Sequence, residues 1–258
     1  MALLQAAREA GAQAEESVTV REVDQQDVFH VRTPDKTFTA RAVVNATGRW
    51  SQLTQHHPPQ KEKWIGLKAH FHEAAPPPST DLYFFDGGYC GVQPVGPNAV
   101  NACAMVRVDT ARTLQEVFSK HPALRARSRD WQPLFAPITT SSLYFRKPQT
   151  EYRGMFMAGD AASFVDPFAG DGISLALHTG SLAAQSLNLF LQGHETLSQA
   201  HREYHDTYRK RFVPVFRNAA RVRKALSAPA LIRTMLLGLA TTRFIAGIVV
   251  RSTRVQQS

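Results

Sequence analysis

The segment that most constrains the fold of this chain is "MFMAGDAASFVDPFAGDGISLALHTG", which runs from Met155 to Gly180. An apolar run ends at a Gly-Asp pair, a loop with a Pro follows, and Gly-Asp-Gly then precedes a long apolar stretch. This pattern predicts a strand, a tight turn, a loop and a helix. Small residues stand at each joint, so the backbone there is open to a ligand.

The two Gly-Asp pairs predict different roles. Asp160 follows Gly159 at the carboxyl end of the predicted strand, where a carboxylate can accept hydrogen bonds from sugar-like hydroxyls. Asp171 follows Gly170 just before the helix, and either it caps the helix or it stands near a ligand. The capping role is favoured for Asp171.

The loop and the start of the helix predict a flat ligand. Pro167 fixes the loop backbone, while Gly170 and Gly172 remove side chains so that a planar group can lie against the peptide units. The helix from Ile173 presents unpaired N–H groups and the positive end of its dipole to the same surface. A flavin meets both demands, because its reduced ring system carries negative charge near one edge. We expect the helix to turn one stripe inward, formed by Ile173, Ala176, Leu177, Gly180, Ala184 and Leu187.

The first 50 residues predict an amphipathic helix followed by a small sheet. Gly11 ends the helix, and the segments "SVTVREV", "VFHVRT" and "TFTARAVVNATG" alternate as strands separated by short polar turns. The last segment runs into a buried strand that ends at Asn45. Ala46, Thr47 and Gly48 follow, and their small size leaves room for a ligand beyond the carboxyl end of the strand.

The region from 51 to 150 predicts a separate antiparallel sheet. Pro-rich breaks separate the alternating segments "KWIGLKAHF", "DLYFF", "GYCGVQPV" and "NAVNACAMVRV", and "GPN" forms a hairpin turn between the last two. A helix over 113–121 and a strand in "ITTSSLYFRKP" complete the region. The aromatic side chains of Tyr83, Phe84, Phe85 and Tyr89 either line a hydrophobic substrate pocket or pack in the core.

Three other patterns are similar to functional sites but have ordinary explanations. His70 and His72 share one strand face, yet no third ligand with suitable spacing follows, so no metal site is predicted. "HREYH" at His201–His205 has its Glu one position too late for a zinc-protease helix, which leaves a surface helix. Cys90 and Cys103 fall on neighbouring strands, where a two-residue loop would place them diagonally on one face as a redox pair.

Two motifs together resemble those of a known family. "ATGRWS" at 46–51 and "GDAASFVDPFAGDGISLAL" at 159–177 are similar to segments of FAD-dependent monooxygenases and, more closely, of geranylgeranyl-reductase-like flavoproteins. "FFDGGYCGVQPV" at 84–95 resembles a strand pair of their substrate region. The resemblance implies an α/β fold of mixed α+β type. It consists of a partial glutathione-reductase-like FAD-binding domain, an inserted antiparallel substrate sheet and a C-terminal helical segment.

The resemblance implies four regions along the chain. Residues 1–50 would be part of the FAD-binding domain, and residues 51–150 would form the antiparallel substrate-binding domain. Residues 151–192 would return to the FAD-binding domain, and residues 193–258 would form C-terminal helices.

The resemblance also assigns cofactor contacts. It implies FAD, with Asp160 at the ribityl or phosphate portion and Pro167 at the flavin ring. The backbone N–H groups at Gly172–Ile173 would face the pyrimidine edge of the flavin. Thr47 and Gly48 would line the cofactor crevice. The electron donor is left open, with NAD(P)H as one option.

One part of the family pattern does not occur in this sequence, namely the G-x-G-x-x-G turn that binds the ADP half of FAD. Met1 stands where the family is well past that motif. Three explanations remain open. In the first, the start codon is assigned too late or the chain is truncated. In the second, a split gene encodes the ADP-binding half as a separate chain. In the third, the chain is a degenerate relative that no longer binds FAD. The intact second motif favours the first two.

The charge distribution bears on partners and location. The net charge is +9, and most of the excess lies between Arg202 and Arg254, which marks a basic tail and predicts no nucleic-acid partner. The apolar segment 230–250 contains Arg233 and Arg243, which disfavour a membrane-spanning helix. It either packs as helices or forms a basic amphipathic surface for anionic lipid. Two cysteines and no recognisable signal peptide predict a cytoplasmic protein, with peripheral membrane contact as the further option.

We therefore predict a FAD-dependent oxidoreductase, reductase-like or monooxygenase, that acts on a hydrophobic or aromatic small molecule. No side chain stands out as a catalytic acid, base or nucleophile, as expected where a cofactor carries the hard step. A halogenase is disfavoured, because Trp50, Trp64 and Trp131 stand apart and form no Trp-x-Trp motif. The alternative is a non-enzymatic relative that serves as a partner-binding or lipid-surface module.

Overall fold

The computed structural model describes residues 2–50, 52–54, 63–140, 142–143, 145, 147–164, 167 and 170–226, with side chains described as far as 222. The described elements are α1 (Ala2–Glu9), β1 (Glu22–Gln25), β2 (Phe29–Arg32), β3 (Thr37–Ala40), β4 (Val44–Asn45), β5 (Trp64–His72), β6 (Asp81–Phe85), β7 (Gly88–Gly96), β8 (Ala99–Arg107), α2 (Leu114–Ser119), α3 (Pro122–Arg127), β9 (Gln132–Pro133), β10 (Ile138–Thr139), β11 (Glu151–Tyr152), β12 (Met155–Met157), a 3-10 turn (Gly159–Ala161), α4 (Gly172–Leu191), α5 (Leu197–Arg211) and α6 (Val213–Leu226). The chain is therefore a mixed α/β protein, as predicted.

The largest layer is an antiparallel sheet with the strand order β10-β5-β8-β7-β6, and β9 also pairs with β5. One face of this sheet carries Leu67, Phe71, Val92 and Val100 against the helices α2 and α3. Trp131 stacks on Phe71 with ring centroids 5.2 Å apart. This face forms the main core, because alternate residues of each strand point to the same side.

The hairpin between β7 and β8 turns at Pro97–Asn98, as predicted, but a register shift precedes the turn. Cys90 consequently lies opposite Ala104, so that Cys103 is one register step away. Successive residues of a strand point to opposite faces, and Cys90 is buried while Cys103 is exposed. The predicted diagonal pair on one face is wrong, because the bulge moves the register by one residue.

The second layer is a three-stranded sheet with the order β11-β12-β4, in which β4 and β12 run parallel. The strand β12 is entirely buried, and α5 packs against it. The hydroxyl of Tyr204 donates to the carbonyl of Met157 at 2.6 Å, and the ring of His201 stacks on Phe156 with centroids 3.9 Å apart. The segment His201–His205 is a helix at the surface, as predicted, with Arg202, Glu203 and His205 exposed and Tyr204 buried against β12.

The helix α4 begins one residue before the predicted start, but its buried face is not the predicted stripe. Its buried residues are Leu175, Thr179, Leu182, Ala183, Ser186 and Leu187. Ile173 and Leu177 are 80% and 53% exposed. Leu187 is buried as predicted, but the rest of the stripe is wrong, because the prediction counted apolar residues alone, whereas the helix buries Thr179 and Ser186 and leaves apolar residues outside.

Three local predictions differ from the structure in smaller ways. The first strand begins at Glu22, although alternation starts earlier in the sequence. The long segment 37–48 breaks after Ala40, so that β3 pairs with β2 while β4 pairs with β12. The short helix α3, which has Pro122 in its first turn, was not predicted.

Within the described part of the chain, none of the helices combines the length and apolar character that crossing a bilayer requires. The predictions about segment 230–250, with Arg233 and Arg243, lie outside the described residues. The division into four regions stays a prediction.

Arg127 ties the helix α3 to the edge of the large sheet. Its Nε donates to both carboxylate oxygens of Glu73, at 3.0 and 3.2 Å. Its Nη1 donates to Asp81 at 2.6 Å and to the hydroxyl of Tyr83 at 3.1 Å. The side chain of Arg127 is only 13% exposed, so its positive charge is balanced by the two carboxylates largely away from bulk water.

We expect Arg127→Ala to lower the free energy of unfolding by about 2–3 kcal/mol, because Glu73 would keep a largely buried charge without its cation. Urea unfolding measures the difference. The control is Glu22→Gln, which removes the half-exposed pair with Arg32 and should cost less than about 1 kcal/mol. An equal loss of unfolding free energy in the two variants would show that the Arg127 network stabilises the fold no more than an exposed ion pair.

The two thiols should differ in reactivity. Burial raises the pKa of Cys90 to about 12, so its nucleophilic thiolate is scarce at neutral pH. We expect iodoacetamide at pH 8 to alkylate Cys103 well before Cys90, which should react only after unfolding. Mass spectrometry of the tryptic peptides measures both rates, and equal rates in the folded protein would contradict the assigned burial.

Candidate functional site

A cleft of about 600 Å³ opens where the carboxyl ends of β4 and β12 face the start of α4. This volume is within the range of roughly 300–1,000 Å³ that ligand pockets show. The lining residues are Val44, Ala46, Gly48, Arg49, Ala158, Gly159, Asp160, Phe164, Pro167, Gly170, Gly172, Ile173, Ala176 and Gly180. The structure thus brings together Gly48, Gly159, Asp160, Pro167, Gly170, Gly172 and Ile173 from the sequence prediction. The two other predicted residues, Thr47 and Asp171, directly adjoin this set in the chain.

The end of β12 and the helix α4 meet at Gly159. Its N–H donates to Oγ1 of Thr179 at 2.9 Å, and that hydroxyl donates in turn to the carbonyl of Leu175 at 2.8 Å. Gly159 has a φ of +57°, and a Cβ there would lie 3.2 Å from Cβ of Ala176. Only glycine fits this joint without strain, since the backbone is left-handed and the helix is close.

The opposite wall of the cleft is the loop after β4. Oδ1 of the buried Asn45 accepts hydrogen bonds from the N–H of Thr47 at 3.1 Å and from its hydroxyl at 2.6 Å. Gly48 follows with a φ of +81°, and nothing lies within 4 Å of the position that a Cβ would take. The loop is therefore held at its base and presents bare backbone to the cleft.

Arg49 and Asp160 face each other across the cleft. Nε of Arg49 lies 3.7 Å from Oδ2 of Asp160, and the guanidinium carbon lies 4.0 Å from the ring centroid of Phe164 and 4.5 Å from that of Trp50. Desolvation raises the pKa of Asp160, while the charge of Arg49 opposes that rise. Desolvation also lowers the pKa of Arg49, and Asp160 opposes that change. The cleft thus holds a partly desolvated carboxylate beside a cation that stacks on aromatic rings.

The start of α4 forms the floor of the cleft. Gly170 has a φ of +71°, and at both Gly170 and Gly172 no described atom outside the neighbouring residues of the chain and helix lies within 4 Å of the position that a Cβ would take. Asp171 occupies the N-cap position, but its side chain makes no capping hydrogen bond, and its buried Oδ2 has no hydrogen-bond partner among the described atoms. The favoured capping role of Asp171 is therefore wrong, because the carboxylate does not reach the first N–H groups of the helix. Those N–H groups remain available to a ligand.

The cleft fits the flavin half of FAD. Two glycines leave flat space against the peptide units, the amino end of a 20-residue helix supplies N–H donors, and Asp160 supplies an acceptor for hydroxyls. Val44 and Ile173, which line the cleft, are 40% and 80% exposed, so this wall is apolar. An apolar flat surface with donors at one edge matches a flavin ring.

The aromatic residues of the predicted substrate pocket lie on two faces of the large sheet. Tyr83 and Phe85 point to the helix-covered face, where Phe85 is part of the main core. Tyr89 lies on the other face with Trp64 and Phe164, and Phe84 packs against this group. The structure therefore favours core packing for Tyr83 and Phe85, and it places Tyr89 and Phe84 on the side of the cleft.

Four residues that shape the cleft were not predicted from the sequence. Arg49 and Asn45 flank the "ATG" segment. No local pattern indicates that Arg49 faces Asp160 or that the side chain of Asn45 accepts hydrogen bonds from Thr47. Phe164 lies in the loop after the 3-10 turn and carries no pattern of its own. Thr179 does give a signal, since a Thr inside an apolar helix is a candidate for a buried hydrogen bond.

His70 makes an edge contact with Phe135 at 6.0 Å between ring centroids. Across the part of the chain that the structure describes, no three His, Cys, Asp or Glu side chains come close enough together to hold a metal ion.

Comparison with known proteins identifies the family. The model of the FAD dependent oxidoreductase family, DAO, matches residues 1–186. This chain belongs to the FAD-dependent oxidoreductases. It is 24% identical over 153 residues to digeranylgeranylglycerophospholipid reductase 2 of Methanopyrus kandleri, which covers 57% of this chain and 39% of the reductase. It is 33% identical over 114 residues to tryptophan 2-halogenase of Chondromyces crocatus, which covers 40% of this chain and 20% of the halogenase.

Solved structures of FAD-dependent proteins share the fold. A geranylgeranyl bacteriochlorophyll reductase-like protein of Thermoplasma acidophilum superposes with a TM-score of 0.72 at 19% identity, over 98% of this chain and 69% of that protein. The chain spans less than two-fifths of the length of the two curated relatives above.

The pair across the cleft gives a prediction about ionisation. We expect Arg49→Gln to raise the pKa of Asp160 further, because the variant removes the charge that opposes the desolvation effect. Carbon-detected NMR titration of the aspartate carboxyl groups measures the change. A pKa of Asp160 that stays the same or falls in Arg49→Gln would show that the two groups do not interact across the cleft.

Proposed function

We propose that the cleft binds the flavin half of FAD and that the chain takes part in flavin-dependent oxidation or reduction of a hydrophobic small molecule. The observation that carries this proposal is the bare backbone at the start of α4. Gly170 and Gly172 have open space where side chains would be, directly beside the amino end of the helix. The family membership supports FAD as the ligand of this space.

Each wall of the cleft has a task in this proposal. The N–H groups at Gly172–Ile173 would donate to the anionic edge of the flavin, and Pro167 would border the ring. Asp160 would accept hydrogen bonds from the ribityl hydroxyls, while the loop at Thr47–Gly48 would let the cofactor pass close to the backbone. FAD, when bound, supplies the two-electron transfer, so the residues of this chain need only bind and orient the ring and exclude water.

We also propose that another segment covers the open side of the cleft. Among the described strands β4 lies at the edge of its sheet, and Val44 and Ile173 expose apolar side chains where they line the cleft. A parallel strand followed by a glycine-rich turn and a helix would cover both the strand edge and this apolar surface, and it would supply the ADP-binding half of the cofactor site. A further segment of the protein or a separate chain would provide this unit.

The substrate would be a hydrophobic or aromatic small molecule, with NAD(P)H as the electron donor. The cluster of Trp64, Tyr89, Met105, Leu143 and Phe164 supports this substrate class, because it extends from the large sheet to the cleft. Among the branches of the family, the reductase-like chemistry is our preferred proposal, and the match to a phospholipid reductase supports it.

Gly172→Ala tests the cofactor site without disturbing the fold. Among the described residues, no atom outside the neighbouring helix backbone lies within 4 Å of the added methyl group, and alanine is at least as good a helix residue as glycine, so Tm should stay the same or rise. The methyl group would occupy the space of the flavin ring, and we expect the Kd for FAD to rise about tenfold or more. Quenching of flavin fluorescence measures the Kd in the chain completed by its ADP-binding half.

The control is Ser181→Ala, an exposed position on the same helix, which should leave both Tm and the Kd unchanged. Riboflavin, which lacks the ADP half, probes this cleft directly and should show the same ranking of variants. If Gly172→Ala keeps the wild-type Kd, the flavin does not lie against the start of α4, and the proposal fails.

A further inference from the structure

A second cavity lies between α5, α6 and the segment that leads into β11. Its volume is about 600 Å³, and it shares no lining residue with the cleft at the start of α4. The lining residues are Phe145, Lys147, Pro148, Thr150, His205, Tyr208, Arg209, Val213, Phe216, Arg217 and Ala220. We call this cavity the α5–α6 groove.

The floor of the α5–α6 groove is apolar and aromatic. Tyr208 is 1% exposed and lies nearly parallel to Phe216, with an interplanar angle of 10° and ring centroids 6.4 Å apart. Phe145, Pro148 and Val213 complete the apolar lining. Because partly exposed aromatic and aliphatic side chains gather here, burial of an alkyl chain or ring in the groove is favourable.

The rim of the groove carries positive charge. Lys147, Arg209 and Arg217 line it and are exposed, and no acidic residue is among the described lining residues. Within the described residues, these three cations form no ion pair. The groove therefore combines an apolar floor with three cations that lack a counterion from this part of the chain.

The position of one of these cations is not explained by helix formation. Arg209 lies in the last turn of α5, where the helix dipole already favours a cation. Arg217 is the fifth residue of α6, beyond the first turn, so the helix dipole does not account for a cation there. A ligand anion at the rim would supply the compensating charge for Arg217.

One side of the groove is polar and is formed by Thr150 and His205, which share a hydrogen bond. Oγ1 of Thr150, which is 9% exposed, lies 2.9 Å from Nδ1 of His205. Glu151 and Asp206 do not line the groove but a neighbouring cleft that shares Pro148, Thr150 and His205 with it. The acidic groups near the groove thus lie on the far side of this hydrogen-bonded pair.

We infer that the α5–α6 groove is a binding site for a single-chain amphiphilic anion, with its apolar part on the aromatic floor and its carboxylate or phosphate group at the basic rim. The basic sequence that follows α6 does not suit the rim, since segment 227–258 contains Arg233, Arg243, Arg251 and Arg254 and no Asp or Glu. The site is independent of the proposed flavin function, because the two cavities have separate linings.

Calorimetric titration of the full chain with dodecyl phosphate below its micelle concentration tests the inference. We expect saturable one-to-one binding that weakens as salt is added, because the ion pairs at the exposed rim are screened. Dodecanol, which has the same chain without the charge, and inorganic phosphate, which has the charge without the chain, should each bind at least about tenfold more weakly.

Variants locate the site. Arg209→Gln combined with Arg217→Gln should weaken dodecyl phosphate binding about tenfold or more, and Ala220→Glu should weaken it by placing a negative charge in the groove. All three positions are exposed, so the fold should be unaffected, and circular dichroism checks this. Arg202→Gln is the matched control, because Arg202 is exposed on α5 but lines the neighbouring cleft.

Three results would overturn the inference. Equal binding of dodecanol would show that the basic rim plays no part. An unchanged affinity in the Arg209 and Arg217 double variant would place the ligand elsewhere. Binding to vesicles of anionic phospholipid without any binding of monomeric dodecyl phosphate would show a surface contact with lipid instead of a ligand groove.

Discussion

The hydrogen bond from the N–H of Gly159 to the hydroxyl of Thr179 is the contact on which the candidate site depends. It joins the end of the buried strand β12 to the middle of α4, and Gly159 must be left-handed for the contact to form. Arg41 fixes the other end of α4 by donating to the carbonyls of Leu191 and Phe190. With its middle and its carboxyl end held, the helix keeps its amino end beside the carboxyl ends of β4 and β12, and a cleft opens between them.

The same arrangement explains why α4 leaves apolar residues outside. The helix buries Thr179 because its hydroxyl is needed at the strand end, and this choice fixes the rotation of the whole helix. Ile173 and Leu177 then face away from the core, and Ile173 lines the cleft. A helix with an uncovered apolar wall loses hydrophobic stabilisation, so the arrangement makes physical sense when a cofactor or a further segment covers the wall.

The sequence predicts much of this architecture but not its rotations and registers. The four long strands of the large sheet, the hairpin turn at Pro97–Asn98 and the strand–turn–helix order around Gly159 follow from local patterns. The inward face of α4 does not follow from local patterns, because the periodicity of apolar residues does not indicate that Thr179 is buried. The separation of Cys90 from Cys103 depends on a bulge, and the meeting of Arg49 with Asp160 joins segments about a hundred residues apart, which local patterns do not relate.

The central claim is that a flavin lies against the start of α4, and backbone amide NMR tests it most directly. The amide signals of Gly48, Gly170, Gly172 and Ile173 should shift when riboflavin is added to the isotope-labelled chain, because a ring over bare backbone changes the shielding of those N–H groups. The amides of the α5–α6 groove should stay in place. Shifts confined to residues outside the cleft, with Gly172 and Ile173 unaffected at saturating riboflavin, would contradict the account.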